Sequence, residues 1–464
     1  VEEKLSQSLS AIDRKKLQQV TERREREQDG LELTYHIDDK PDLFTTTILG
    51  FQNVLTAFGG LVAVPLIIAG MAGFGVADTA YMISTALFVS GIVSIIQSKG
   101  IGPKGFRIGA GVPTIMGTDF GFVAPANAVI NTMGGGIAGY FGGTMLGALL
   151  EIGLSYFVKP LMKFFPPVVT GTVIALMGMT LMPVAFDWVG GGAGAADFGS
   201  PINLAIATLV FVIIIALNHY GSQRIGPAAV LIGIVVGYLV CIPLGMVDFS
   251  QIAAADWFAF PRLFKFGVNF DLRFAIPFVA GYLVTVIETV GVMQTIGEVT
   301  QHPLSDEDIA NGVRADGFGS FIGPALGSGP VATFSQNAGL IPLTRNASRV
   351  VAIAAGVILA GMSFFPKLAT IISIMPLPVL GGAGILMFGT VAGAGIKSLS
   401  RVKFNNRNLL IVSASISIGL GVTFRPEVVA GLPGILNGLF SSGISAGTIV
   451  ALVLNLLLKE KAEV

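Results

Sequence analysis

Residues 333–344 read TFSQNAGLIPLT. Three adjacent polar side chains, Ser335, Gln336 and Asn337, stand in a chain that is 53% hydrophobic, and Gly339 and Pro342 follow them. Polar atoms cost free energy in hydrocarbon unless a partner satisfies them. The stretch is therefore either a loop in water or the wall of a site that holds something polar. The rest of the chain decides between the two.

A mean hydropathy of +0.78 and only 12% charged residues over 464 positions describe an all-α polytopic membrane protein. A soluble chain carries about 25% charged residues. The 61 glycines let helix backbones approach one another closely in a membrane. A net charge of zero, with no basic stripe, excludes a nucleic-acid partner. One cysteine, Cys241, and three scattered histidines, His36, His219 and His302, provide no metal-ligand spacing and no disulfide. Neither a metal nor another cofactor is expected. Residues 1–42 form a charged tail with 8 Lys/Arg and 11 Asp/Glu. Leu5, Leu9, Ile12, Leu17 and Val20 share one helical face there, which reads as a solvated cytoplasmic helix.

From Phe44 onward the apolar runs divide into about fourteen membrane segments of roughly 20 residues. The clear ones lie near 45–70, 78–98, 137–158, 166–186, 202–218, 225–246, 274–297, 347–366, 369–395, 408–423 and 441–458. Three stretches fit poorly, being short, rich in Gly and Pro, and polar in the middle: 112–131, 312–327 and 330–344. With both termini in the cytoplasm, fifteen Lys/Arg of the membrane region face inward and only Arg262, Lys265, Arg273, Lys367 and Arg425 face outward. That is the asymmetry the positive-inside rule asks for, and an inner (plasma) membrane, with its lipid, is the expected location.

The two halves echo each other. PPVVTG (166–171) matches LPVLGG (377–382) at an offset of 211 residues, and the same offset brings GTDFGFVAP (117–125) near GPVATFSQNAG (329–339). Interrupted polar segments at corresponding places in two halves point to the binding site of an inverted-repeat transporter. The opening stretch then reads as an extended piece leading into a half-helix whose free N–H groups face a cavity.

Acidic residues inside spans are candidates for function. Glu288, in GYLVTVIETVG, is the most isolated and reads as a site residue. Asp316 follows Arg314, so a coupling role competes with a salt bridge at a helix end. Glu151 lies mid-span as a structural partner or a functional acid, and Glu298 sits at a cytoplasmic end. Asp119 either caps its half-helix or carries a proton.

Taken together, FSQNAGLIPLT, FQNVLTAFGGLVAVPLI, GTDFGFVAP, YLVTVIETVG, ADGFGS and MPLPVLGGAG resemble the nucleobase–ascorbate transporter family, nearest the bacterial xanthine and urate permeases. Gln336, Asn337, Gly339, Thr344 and Arg345 match every fixed place of the family signature, and the similarity spans nearly all of residues 31–460. The resemblance implies fourteen spans in two inverted repeats of seven. Residues 43–159 and 272–366 would form a core domain, and 160–271 and 367–464 a gate domain that contacts a second copy in a homodimer. It assigns the base to Phe120, Glu288, Ser335 (through its backbone) and Gln336, with Asn337 shaping the tenth segment. Purine uptake would be coupled to protons rather than sodium, carried by Asp119, Asp316 or Glu288.

Gln336, where uracil carriers tend to have Glu, favours an oxo-purine such as xanthine, urate, hypoxanthine or guanine. Three departures stand out: Asn53 replaces a usual His, Val292 an Asp frequent in purine permeases, and Asp119 a usual Ser. Uracil or ascorbate are the alternative substrates within the family. An anion carrier of the same architecture is a second class, disfavoured by Glu288 and Asp119. No nucleophile–base pair, phosphate loop or HExxH motif supports an enzyme.

Overall fold

Long runs of Leu, Ile, Val, Ala and Gly leave the backbone no polar solvent, so each run closes its own hydrogen bonds as a helix. In the computed structural model, which describes residues 33–103, 105–162, 165–222, 225–440 and 442–458, these runs become α1 (Leu43–Met71), α2 (Val76–Lys99), α3 (Val123–Asn127), α4 (Gly136–Leu154), α5 (Pro167–Thr180), α6 (Met182–Val189), α7 (Pro201–Tyr220) and α8 (Ala229–Cys241). They continue as α9 (Leu272–Val299), α10 (Asp306–Leu326), α11 (Ser335–Thr344), α12 (Arg349–Ser363), α13 (Pro366–Ser373), α14 (Leu377–Leu399), α15 (Asn406–Phe424) and α16 (Gly443–Leu457). Among the described residues eight helices are long and apolar enough to cross a membrane. A ninth is added if α12 and α13, bent by 83°, count as one span.

Helix ends follow their local chemistry. Asp42 caps α1, accepting from the Thr45 N–H at 3.0 Å and the Thr45 hydroxyl at 2.7 Å. These bonds hold its carboxyl below the ordinary carboxylate range. Ser305 and Asp308 form a reciprocal capping box at the start of α10.

Two expectations need correction. The stretch 312–327 is not a short segment: residues 312–326 belong to the continuous 21-residue α10, which ends at the left-handed Gly327. Its glycines serve packing, since a Cβ on Gly317 would lie 3.0 Å from the Ile152 nitrogen of α4 and one on Gly323 would lie 2.5 Å from the Gly329 carbonyl. Conversely, 369–395 is not one segment, because the helix ends at Ser373 and a new one starts after Pro376. Proline has no N–H to continue the ladder.

The other two unusual stretches are interrupted as expected. Strands β1 (Met116–Thr118) and β2 (Val331–Thr333) pair antiparallel, Met116 opposite Thr333 and Thr118 opposite Val331, with every residue of both strands buried. Their outer edges are served by helix side chains: the Met116 N–H donates to Ser94 Oγ at 2.8 Å, and Ser320 Oγ both accepts from the Val331 N–H at 3.1 Å and donates to the Val331 carbonyl at 3.0 Å. Each strand then turns into a short helix, through residues 120–122 into α3 and directly into α11.

The matching motifs PPVVTG and LPVLGG open α5 and α14, which pack antiparallel along their lengths. A Cβ on Gly178 would meet the Ala392 nitrogen at 2.3 Å, and one on Gly395 the Ala175 nitrogen at 2.1 Å. Only glycine permits this approach.

The helical pattern of the tail, residues 5–20, lies outside the described residues. The end of the tail is not a free solvated segment. The Thr34 N–H donates to the Arg345 carbonyl at 2.8 Å, the Ala347 N–H to the Tyr35 carbonyl at 2.8 Å, and Asp38 pairs with Arg349 at 2.5 Å. Leu33 and Ile37 are buried in a cluster with Val112 and Ala347. Burying these two side chains draws the segment onto the α11–α12 junction.

Gly117, at the centre of the strand pair, tests this core. A Cβ there would lie 2.3 Å from the Phe334 ring and 2.6 Å from Leu61. Gly117→Ala is expected to lower stability by about 1–3 kcal/mol, the usual range for overpacking, read as a lower midpoint in thermal unfolding of detergent-purified protein. An unchanged midpoint would show that the ladder tolerates a side chain.

Candidate functional site

A cavity of about 360 Å³ opens where β1 and β2 hand over to their half-helices. Pockets for small organic ligands run from about 300 to 1,000 Å³. Its walls come from α1 (Thr56, Gly60), the β1 turn (Thr118, Asp119, Phe120), α5 (Met177), α9 (Glu288), β2 and α11 (Thr333 to Gln336), and α14 (Met387, Thr390). Phe120, Glu288, Ser335 and Gln336, separated by up to 216 positions in sequence, therefore share one cavity.

The polar groups are arranged unequally. Asp119 precedes the first short helix and closes it: Oδ1 accepts from the Gly121 N–H and Oδ2 from the Thr285 hydroxyl, each at 2.8 Å. The helix α11 begins at Phe334 with no side-chain cap, leaving its first backbone N–H groups open beside the cavity. Phe120 stands edge-on to the buried Phe388, ring centres 5.3 Å apart, which fixes one aromatic wall. Phe334, 7% exposed, makes another.

Some expected residues lie elsewhere. Asn337, named with the substrate-site residues, does not line the cavity. Its amide donates to the Asn53 carbonyl at 3.0 Å and to Asn53 Oδ1 at 3.1 Å, tying α11 to α1. It thus shapes the tenth segment, and Asn53 serves as its partner. Val292 faces away from the cavity into an apolar cluster with Met293 and Ile341. Asp316 stands one hydroxyl behind the pocket wall. Its Oδ1 accepts from Thr333 at 3.0 Å and its Oδ2 from Thr289 through a short bond. Arg314 does not pair with Asp316: it donates to Ser155 Oγ at 3.2 Å, the Arg107 carbonyl at 2.8 Å and Asn311 Oδ1 at 2.9 Å. Glu298 is exposed at the end of α9.

The residues that sequence reasoning missed are hydroxyls and one ring. Thr285 and Thr289, four apart on one face of α9, each donate to one aspartate. The pattern TVIET carries this spacing, but in an apolar helix a threonine usually bonds its own backbone. Phe334, directly before Ser335, had no polar signal.

Paired half-helices that meet in one cavity between packed membrane helices define a carrier-type membrane permease. A sequence profile of the permease family matches residues 44–428, and the chain belongs to this family, that of the nucleobase–ascorbate transporters. The chain is 51% identical over 92% of its length to a provisionally named purine permease, CPE0397, of Clostridium perfringens, covering 93% of that protein. It is 38% identical to the uric acid transporter UacT of Escherichia coli K12, over 88% of this chain and 85% of that one. To the xanthine permease of Bacillus subtilis 168 it is 37% identical, over 89% and 93%. Among solved structures, the transmembrane domain of the cyanobacterium bicarbonate transporter BicA shares the fold, with a TM-score of 0.62 and 15% identity over 86% of this chain and all of that one. Murine Solute Carrier 26 family member A9 in its inward-facing state matches with a TM-score of 0.58 and 10% identity, over 90% and 69%.

The Asn53–Asn337 tie is testable by a double-mutant cycle. Each single change to Ala is expected to lower stability by about 1–3 kcal/mol, because it removes the side-chain bond between the two amides and leaves Asn53 Oδ1 or one Asn337 N–H without that partner. The double mutant should cost clearly less than the sum of the two. Additive losses in thermal unfolding would mean that the two residues do not act as a pair.

Proposed function

We propose that this chain imports purine nucleobases of the xanthine, urate, hypoxanthine or guanine type across an inner (plasma) membrane, coupled to protons. The observation that carries the reading is one cavity holding a carboxylate, an amide, an open helix N-terminus and aromatic walls. A flat heterocycle stacks on Phe120. Glu288 accepts its ring N–H groups, the Gln336 amide donates and accepts along its edge, and the backbone N–H of Ser335 meets a ring carbonyl. The relatives named for purines, uric acid and xanthine support this choice.

An anion would meet a less suitable site. Of the two half-helix N-termini, one is already neutralised by Asp119, and Glu288 adds a second carboxylate. Like charges about 4 Å apart repel by roughly 4 kcal/mol at an effective dielectric of 20. The bicarbonate and anion carriers that share the fold thus share a frame, while the charges lining this cavity differ in sign from what an anion needs.

Fourteen crossings are proposed: α1, α2, the β1–α3 segment, α4, α5 with α6, α7, α8, α9, α10, the β2–α11 segment, α12, α14, α15 and α16. Both termini are cytoplasmic in this arrangement. Residues 43–159 and 272–366 move as a core against a gate of 160–271 and 367–464, which pairs with a second copy. The coupling proton is carried by Asp316. The Gly121 N–H can only donate, so it serves Asp119 as an acceptor throughout, whereas the Thr289 and Thr333 hydroxyls can turn to serve either form of Asp316.

Competition against labelled xanthine uptake, run with a panel of bases at two pH values with and without sodium, tests the whole reading. Oxo-purines should compete, uracil and ascorbate should not, and sodium should be dispensable. Competition by uracil alone, or by bicarbonate, would overturn it. Glu288→Gln removes a charge-assisted bond of about 1.5–3 kcal/mol, so xanthine affinity should fall about tenfold or more. Asp316→Asn should still exchange labelled for unlabelled xanthine but lose accumulation driven by a pH gradient. If it accumulates normally, Asp316 is not the carrier.

A further inference from the structure

Glu151, in the last turn of α4, is fully buried, and neither of its carboxyl oxygens has a hydrogen-bond partner among the described residues. It has no part in the purine cavity, which it does not line. The other intramembrane acids differ. Asp119 and Asp316 each accept two hydrogen bonds, and Glu288 borders the cavity. Among the described residues, Glu151 is the one intramembrane acid that is fully enclosed with nothing to bond.

Among the described residues no cation pairs with it. The charged groups within electrostatic reach, Asp316 of α10 and Asp119 of the β1 turn, are acids themselves, and the hydroxyl of Tyr282 on α9 is committed to the Thr144 carbonyl at 2.7 Å. The one cation nearby in sequence and space, Arg314, donates to Ser155, a turn further along the chain, and lies over the Tyr156 ring at 4.4 Å. An ionised carboxylate with no donor and no partner is expensive to bury, so this state holds Glu151 as the neutral acid. Simple packing would be met at lower cost by Leu or Gln.

The position also connects to the site. The residue after Glu151, Ile152, touches the residue after Asp316, Gly317: a Cβ on Gly317 would lie 2.7 Å from the Ile152 side chain. Asp316 in turn reaches the purine cavity through the Thr333 hydroxyl. Carboxyl, carboxyl, hydroxyl and cavity follow in that order across the core.

We propose that Glu151 is a second proton-binding carboxyl of the transport cycle, sharing one proton with Asp316 behind the substrate cavity. The step is a transfer. The two carboxyls share no hydrogen bond in this state, so the transfer takes place when α4 and α10 bring them within reach during the cycle: the O–H of Glu151 breaks as an O–H forms on the Asp316 carboxylate, and the reverse step recharges it. No bond to the purine changes. The Arg314–Ser155 contact then stands where the proton leaves or enters the core without crossing the occupied cavity. This proposal rests on the proton-coupled reading above.

The test uses the full chain in proteoliposomes, comparing wild type, Glu151→Gln and Glu151→Asp. Three readouts are taken: the infrared carbonyl stretch of protonated buried carboxyls, exchange of labelled for unlabelled xanthine, and accumulation driven by a pH gradient. Glu151→Gln should lose one protonated-carboxyl band and lose accumulation while exchange persists, and Glu151→Asp should restore part of both. Wild-type accumulation in Glu151→Gln, or retention of every band, would overturn the proposal. Should Glu151→Gln fail to fold, Glu151→Asp carries the test: a shifted band with weakened accumulation supports the proposal, and no change in either overturns it. Failure of the parent reading looks different. Wild type itself would then show no pH-driven accumulation, while the infrared band would still report the proton on Glu151.

Discussion

The structure depends on one constraint, that backbone polar groups inside a membrane must find partners within the protein. A binding site needs backbone N–H groups that no helix has already used, and these are the groups a membrane punishes. The antiparallel pairing of Met116–Thr118 with Val331–Thr333 resolves the conflict. Each strand satisfies the other, Ser94 and Ser320 satisfy groups left at the edges, and both chains emerge into short helices whose first turns border the same cavity. Without the pairing, neither interruption could exist in hydrocarbon. With it, two helix N-termini are delivered to one point.

From that point the chemistry is set by what stands at each N-terminus. The first is closed from within by Asp119, which is itself anchored across the core by Thr285 of α9. The second is left open at Phe334, and Ser335 and Gln336 project from it into the cavity. The frame is shared with carriers of bicarbonate and other anions. The side chains added to it are acidic and aromatic, which suits a flat ligand rich in N–H groups. Fold and selectivity are thus separable here: backbone pairing supplies the first, and a handful of side chains the second.

Glycine has a comparable role between helices. α5 and α14, which begin with the matching motifs, lie so close at Gly178 and Gly395 that a methyl group would collide with backbone. In water such residues would weaken a helix, whereas between membrane helices they allow the contact that dispersion forces require. The same exchange of side-chain volume for proximity brings α4 against α10, where Gly317, the residue after Asp316, packs on Ile152, the residue after Glu151.

Local features of the chain were enough for the class and most boundaries. Apolar runs long enough to cross a membrane, two Gly- and Pro-broken segments with polar centres, and an isolated Glu288 are all properties of short windows, and they marked the spans and four wall residues of the cavity. Only the tertiary structure decided which polar group meets which. That Asn337 turns to Asn53 and away from the cavity, that Asp316 bonds Thr289 and Thr333 rather than Arg314, and that Thr285 reaches Asp119 across 166 positions are long-range contacts. The same holds for 312–327, where the glycines that made the stretch a poor fit for a span are contact points on a continuous helix. Hydropathy and periodicity describe how a segment prefers to behave alone. The partner of a buried polar atom is set by how several helices pack at once, and one sequence read without that packing contains no distance between them.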